Sequence, residues 1–216
     1  MDGADGDPLA DVAYGLFEIS LNNALRSREI HLFELVEESK DFQEDFSRIF
    51  KEFESQYPQL AEALRRRFGS VDALYKLIQQ GEGVVPSRTH LMYWIIQDAP
   101  DFRPDESDAE QMGKWLIFLE KGEVDEMWRR IRNATCEGEL GVSAKVSTEK
   151  HHPESRDTRK VIYVYTRNWE DEADVMRVRE ELRKLGVSQR IGYKRNIETF
   201  EGEYSDRGKK VTFYSA

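Results

Sequence analysis

Three strand-like runs between Gly113 and Thr166 carry the residues with the clearest chemical promise. GKWLIFL (113–119) and GVSAKVS (141–147) each hold one lysine among residues that otherwise read as core, and KVIYVYT (160–166) adds tyrosines. In the second run Val142, Ala144 and Val146 fall on one face and Ser143, Lys145 and Ser147 on the other, the alternation of a half-buried strand. A lone ammonium on such a strand incurs a desolvation cost unless it meets a ligand, so Lys145 is a candidate contact. Lys114, second in its run, reads either as a second contact or as a strand-start lysine at the rim. In the third run Val161, Tyr163 and Tyr165 share a face. Lysine and tyrosine set among core residues imply a curved sheet that binds something.

Little else in the chain offers catalytic or metal chemistry. Cys136 is alone and cannot form an internal disulfide, no Cys or His falls at metal-ligand spacing, and His151–His152 read as solvated loop residues. The expectation is therefore no metal, no cofactor and no catalytic set. No stretch of about 18 apolar residues is present and the acidic, Gly-rich start has no apolar signal core, which points to a cytoplasmic protein without a membrane partner. Net charge is −10 but unevenly spread. Residues 1–112 carry 11 Lys+Arg against 23 Asp+Glu, and residues 113–216 carry 21 against 19, so the first half is near −12 and the second near +2. A polyanion would find attraction only in the second half, around Lys145, Lys150, Arg156, Arg159, Lys160, Arg167, Lys194 and Arg195; otherwise these form a solvated face.

The elements that position these residues follow from periodicity. Residues 1–8 read as a disordered leader. Residues 9–68 form a helical extension, with stripes at Leu9, Val12, Ala13, Leu16 and Phe17, at Phe42, Phe46, Ile49, Phe50 and Phe53, and at Leu60, Ala61, Leu64 and Phe68. An α+β domain spans 69–216. It opens with a helix capped by Ser70 and ending at Gly81, followed by a strand within His90–Ile96 and an acidic loop over 100–111. After GKWLIFL comes a helix lined by Val124, Trp128, Ile131 and Thr135. A helix capped by Asn168, acidic at its start and basic before Gly186, buries Val175, Val178, Leu182 and Leu185. Strands at Gln189–Lys194 and Lys209–Tyr214 close the chain. Trp94, Trp115 and Trp128 read as core, and Trp169 as helix-start packing.

From Gly113 onward the order strand, helix, strand, strand, helix, strand, strand resembles the eukaryotic mRNA cap-binding translation initiation factors. GKWLI resembles that family's Gly-Arg-Trp-Leu-Ile strand, Met127-Trp128 its Phe-Trp helix, KVIYVYT its Lys-Ile-Ala-Ile-Trp-Thr strand and RIGYK its Ile-Gly-Tyr strand. SVDALYKLIQ is similar to the helix beside its partner-binding dorsal face. A nearer resemblance is to the basophilic-leukaemia-expressed protein family, through GKWL, AKVS, VYT and the GYK of Gly192–Lys194. Together these cover roughly Gly69 to Tyr214.

The resemblance implies a curved, mainly antiparallel sheet with helices on its convex face and a ligand groove on the concave one. It also implies where a cap-binding apparatus would sit, and several positions depart from it. One stacking tryptophan falls near Phe102, the following glutamate becomes Arg103, the phosphate-binding arginine becomes Ser147, and Tyr165 replaces the tryptophan that flanks the base. What remains on the concave face is Lys114, Lys145, Ser147, Tyr165 and Lys194, a set suited to a phosphate beside an aromatic or ribose group. The implied function is a non-catalytic binding protein for a nucleotide or RNA 5′-end-type ligand without the full cap-stacking apparatus.

Two alternatives stand beside it. The strand order faintly resembles bacterial phosphothreonine lyases, with Lys114 and Lys145 matching their two lysines and Leu116 standing where their histidine acid would be. The third reading is an adaptor whose acidic N-terminal helices recruit a protein partner.

Overall fold

The computed structural model describes residues 7–103, 109–150, 158–200 and 212–216. Most of the expected leader, His151, His152, Arg156 and the first half of the final expected strand lie outside these residues. The chain divides into two compact units, one holding the residues up to Tyr93 with the short segment that begins at Thr148, the other holding Trp94–Ser147 and the remaining C-terminal residues.

The first unit is helical: α1 Pro8–Arg26, α2 Leu32–Glu37, α3 Gln43–Gln56, α4 Pro58–Phe68 and α5 Val71–Gln79. α1 starts inside the segment expected to be leader, because Asp7 caps it through Leu9 N–H (3.1 Å) and Pro8 fits the first turn. Its buried face is Ala10, Ala13, Tyr14, Phe17, Leu21 and Leu25. Leu9, Val12 and Leu16, expected on that stripe, are instead 43%, 56% and 39% exposed. Phe17 decides the face: its ring meets those of Phe46, Phe50 and Phe53 of α3 edge-on at 5.2–5.3 Å, and the 3.6-residue period then sends Leu9, Val12 and Leu16 outward. Ser70 caps α5 by accepting from Ala73 N–H (3.0 Å), as its sequence indicates. α5, expected at the start of the α+β domain, packs on α2, α3 and α4.

The second unit is α+β, with β1 Trp94–Asp98, β2 Gly113–Leu119, α6 Val124–Cys136, β3 Ser143–Ser147, β4 Lys160–Thr166, α7 Glu172–Lys184, β5 Gly192–Arg195, α8 Asn196–Phe200 and β6 Tyr214–Ser215. The six strands form one curved antiparallel sheet in the order β1-β3-β4-β2-β5-β6. β1 begins four residues later than the expected start at His90, because its ladder runs from Trp94 opposite Ser147 to Asp98 opposite Ser143. α7 is capped by Asp171, which accepts from Asp174 N–H (3.1 Å), while Asn168 holds the preceding turn through Glu170 N–H (2.9 Å).

α6 and α7 cover one face of this sheet. Trp115 and Trp128 are buried there, and Trp115 Nε1–H donates to the Val175 carbonyl of α7 (3.1 Å). Arg179 of α7, fully buried, donates to the carbonyls of Val187, Gln189 and Ala216 at 2.8–3.1 Å, so a charged side chain ties the loop before β5 to the chain end. Gly113 lets Tyr193 cross β2, where the Tyr193 and Thr166 hydroxyls share a hydrogen bond of 2.6 Å.

Candidate functional site: a cation-lined cavity on the open sheet face

Strand pairing places the candidate residues in two adjacent rows across the other face. In one row Ile96, Lys145, Tyr163, Leu116 and Gly192 stand side by side; in the next come Asp98, Ser143, Tyr165, Lys114 and Lys194. The side-chain period of two puts both rows on the face away from Trp115 and Ile117. Lys114 and Lys194 are therefore cross-strand neighbours, an arrangement of like charges that destabilises a sheet unless something else offsets it.

A cavity of about 700 Å³ is lined by Lys145, Tyr163, Leu116 and Gly192 of the first row and by Lys114 and Lys194 of the second. Its cations are Lys114, Lys145, Arg159, Arg190 and Lys194, and among the described residues its lining holds no carboxylate. In a chain of net charge −10 this is a local concentration of positive side chains.

The lysines rest on aromatic rings. Lys145 Nζ lies 4.4 Å from the Trp94 ring centre, 5.3 Å from that of Tyr163 and 5.8 Å from that of Tyr165. Lys114 Nζ lies 5.5 Å from both tyrosine rings and donates to Asn196 Oδ1 at 2.9 Å. Ring faces of negative quadrupole compensate part of the hydration these ammonium groups lose. The compensation is incomplete. Burial, followed by the neighbouring charges of Lys145 and Lys194, pulls the Lys114 ammonium down to about 8, against a smaller opposing pull from Glu198. Burial alone lowers Lys145. Tyr165 is pushed upward by burial and then by Tyr163, so it stays a neutral phenol.

Of the six residues singled out from sequence, Lys114, Lys145 and Lys194 line the cavity, and Tyr165 lies against two of them. Ser147 ends the lysine strand, where its hydroxyl accepts from Val161 N–H (2.9 Å). Phe102 is not brought to this group: it is buried in the turn after β1 with the Arg167 guanidinium 5.7 Å from its ring centre. Trp94, expected in the core, is half-exposed and lines the cavity with its ring 5.2 Å from Tyr163 at 29°. Its role follows from the true start of β1, because Trp94 opposite Ser147 shares the parity of Lys145. Arg190 had no signal in the sequence; it reaches the cavity from the loop before β5, held by Ser215 Oγ (2.8 Å).

Several solved structures are similar in part. C. elegans eIF4E-3, in complex with the 4E-binding protein Mextli and a cap analog, matches at 16% identity over 68% of this chain and 80% of its own, with a TM-score of 0.43. Schistosome eIF4E, complexed with m7GpppA and 4E-BP, matches at 15% identity over 54% of this chain and 66% of its own (TM-score 0.40). Ascaris suum eIF4E-3 with an m2,2,7G cap matches at 18% over 58% and 73% (TM-score 0.38). The sequence profile described as Basophilic leukemia-expressed protein Bles03 matches residues 36–200 of the 216, taking in β1 to β5 and the whole lysine-bearing face, and the chain belongs to that family.

Proposed function

We propose that the chain is a binding protein for a phosphate-bearing ligand of the nucleotide or RNA 5′-end class, held on the open face of the sheet. The observation that carries this reading is the cavity lined by five cations without a described carboxylate. Lys114 and Lys194 are buried beside one another, and a bound phosphate would add charge-assisted hydrogen bonds to this pair. Trp94 and Tyr163 supply an aromatic wall beside the anion site. The lyase-like alternative retains Lys114 and Lys145 on one face, but Leu116 beside them donates no proton.

Trp94 makes the test optical. Titration with GTP, and with short capped and uncapped RNA, should quench tryptophan fluorescence, and Lys145→Ala should weaken binding about tenfold, the cost of a charged contact. Absence of quenching by every ligand, or unchanged binding in Lys145→Ala, overturns the reading.

One observation favours a protein partner as a second role. Leu9, Val12, Leu16 and Ile19 form an exposed apolar stripe along α1, each at least 39% exposed, in the half of the chain that is near −12. By charge complementarity the partner is a basic amphipathic helix. A fluorescently labelled basic amphipathic peptide should lose affinity for the charge-neutral Val12→Asn; equal binding by wild type and variant removes this role.

A further inference from the structure

Resting on the phosphate-ligand reading, the geometry points to a specificity: the cavity selects a ligand whose ring is uncharged and rejects a cationic ring such as N7-methylated guanine, and Lys145 is the residue that sets this choice. The argument begins with the rings. A cationic heterocycle gains its stacking energy from the negative face of an aromatic side chain. Trp94, Tyr163 and Tyr165 are the aromatic rings that meet the lysines, and each already has a protein ammonium within 4.4–5.8 Å of its centre. Lys145 Nζ is near all three. A second cation arriving at Trp94 or Tyr163 would meet Lys145 across a partly desolvated space, where like charges repel more strongly than in water.

The hydrogen-bonding inventory points the same way. The cationic side chains of the lining are donors without an acceptor site. The described lining offers no carboxylate to receive the N1–H and N2–H edge of guanine or to balance a positive ring. An unmethylated guanine presents N7 and O6 as acceptors, the pair that lysine and arginine contact in nucleic acids. Methylation at N7 removes one acceptor and adds a positive charge. Both changes are unfavourable in this cavity, and both are relieved when Lys145 is replaced by a neutral side chain.

The experiment is a fluorescence titration of the full chain with GTP, N7-methyl-GTP and inorganic tripolyphosphate, in slightly acidic buffer that keeps the methylated ring cationic. GTP is expected to bind at least about tenfold more tightly than N7-methyl-GTP, and Lys145→Gln should narrow that ratio several-fold while weakening GTP itself. Lys145→Met provides the same measurement with a different neutral side chain. Equal affinities, or preference for the methylated nucleotide, overturn the inference while leaving the phosphate site intact. A ratio unchanged in both variants removes Lys145 from the role. Failure of all three ligands to bind the wild-type protein overturns the proposed function itself.

Discussion

Lys114 condenses the energetics of this protein into one side chain. Its ammonium is held at about 8 rather than 10.5 by burial and by two neighbouring lysines. The unfolded chain therefore binds more protons than the folded one between about 8 and 10.5, and the second unit should gain stability as pH rises through that window. Below it the charged, buried amine costs on the order of 3 kcal/mol. Lys114→Met is expected to raise stability near neutral pH by about 1–3 kcal/mol, less the lost hydrogen bond to Asn196, and to flatten the rise between 8 and 10.5. Urea unfolding across pH measures both. The same variant should bind phosphate ligands worse, and wild-type affinity should fall as pH passes about 8, since only the ammonium attracts an anion. Both outcomes together would give Lys114 the signature of function over stability.

At the scale of elements, β2 is the axis of the second unit. One of its faces carries Trp115 and Ile117 into the layer beneath α6 and α7, and the other presents Lys114 and Leu116 to the cavity. Its first residue must be glycine, because a Cβ at Gly113 would overlap the Tyr193 ring and hydroxyl, which are fixed by Thr166. Gly113→Ala should therefore cost about 2 kcal/mol of stability, and combining it with Tyr193→Ala should cost clearly less than the sum of the two single changes. Chemical denaturation of the four proteins tests this. Additive costs would place the strain elsewhere. The strain would also tilt β5 against β2 and move Lys194 relative to Lys114, so phosphate binding should weaken together with stability.

The whole molecule joins two units with opposite responses to pH. In the helical unit the Glu18 carboxyl, half-buried on α1 and held by Asn22 Nδ2 (2.5 Å), is pushed up to about 7 by the solvent it loses there. The folded state there retains a proton that the unfolded chain has lost between about 4.5 and 7, so stability should fall as pH rises through that range. The second unit, through Lys114, should strengthen only above about 8. Glu18→Gln should lessen the acid-side decline and leave the alkaline rise, whereas Lys114→Met should do the reverse; Glu82, raised by burial, and Lys145, lowered by burial, keep part of each trend. Thermal unfolding of both variants across pH separates these effects. Loss of both trends in either variant would show that a different group titrates.

Local pattern in the sequence was enough to indicate α6, β3, β4 and α5, which have apolar residues at the period of their own backbone, and β2, whose short run is apolar on both faces after Lys114. It also placed Lys145 opposite the Ala144 face and put Tyr163 with Tyr165, since alternation along a strand is a local property. The tertiary structure alone decided what is non-local. Strand pairing made Lys114 and Lys194 neighbours across 80 residues of chain, shifted β1 so that Trp94 joins the cavity, and left Phe102 under Arg167 instead. It also chose between the two apolar stripes of α1, both of which satisfy the helical period, by docking Phe17 among three phenylalanines. A sequence determines which face of each element is polar, while the register between elements, set by packing distant segments together, determines which polar groups meet in one cavity.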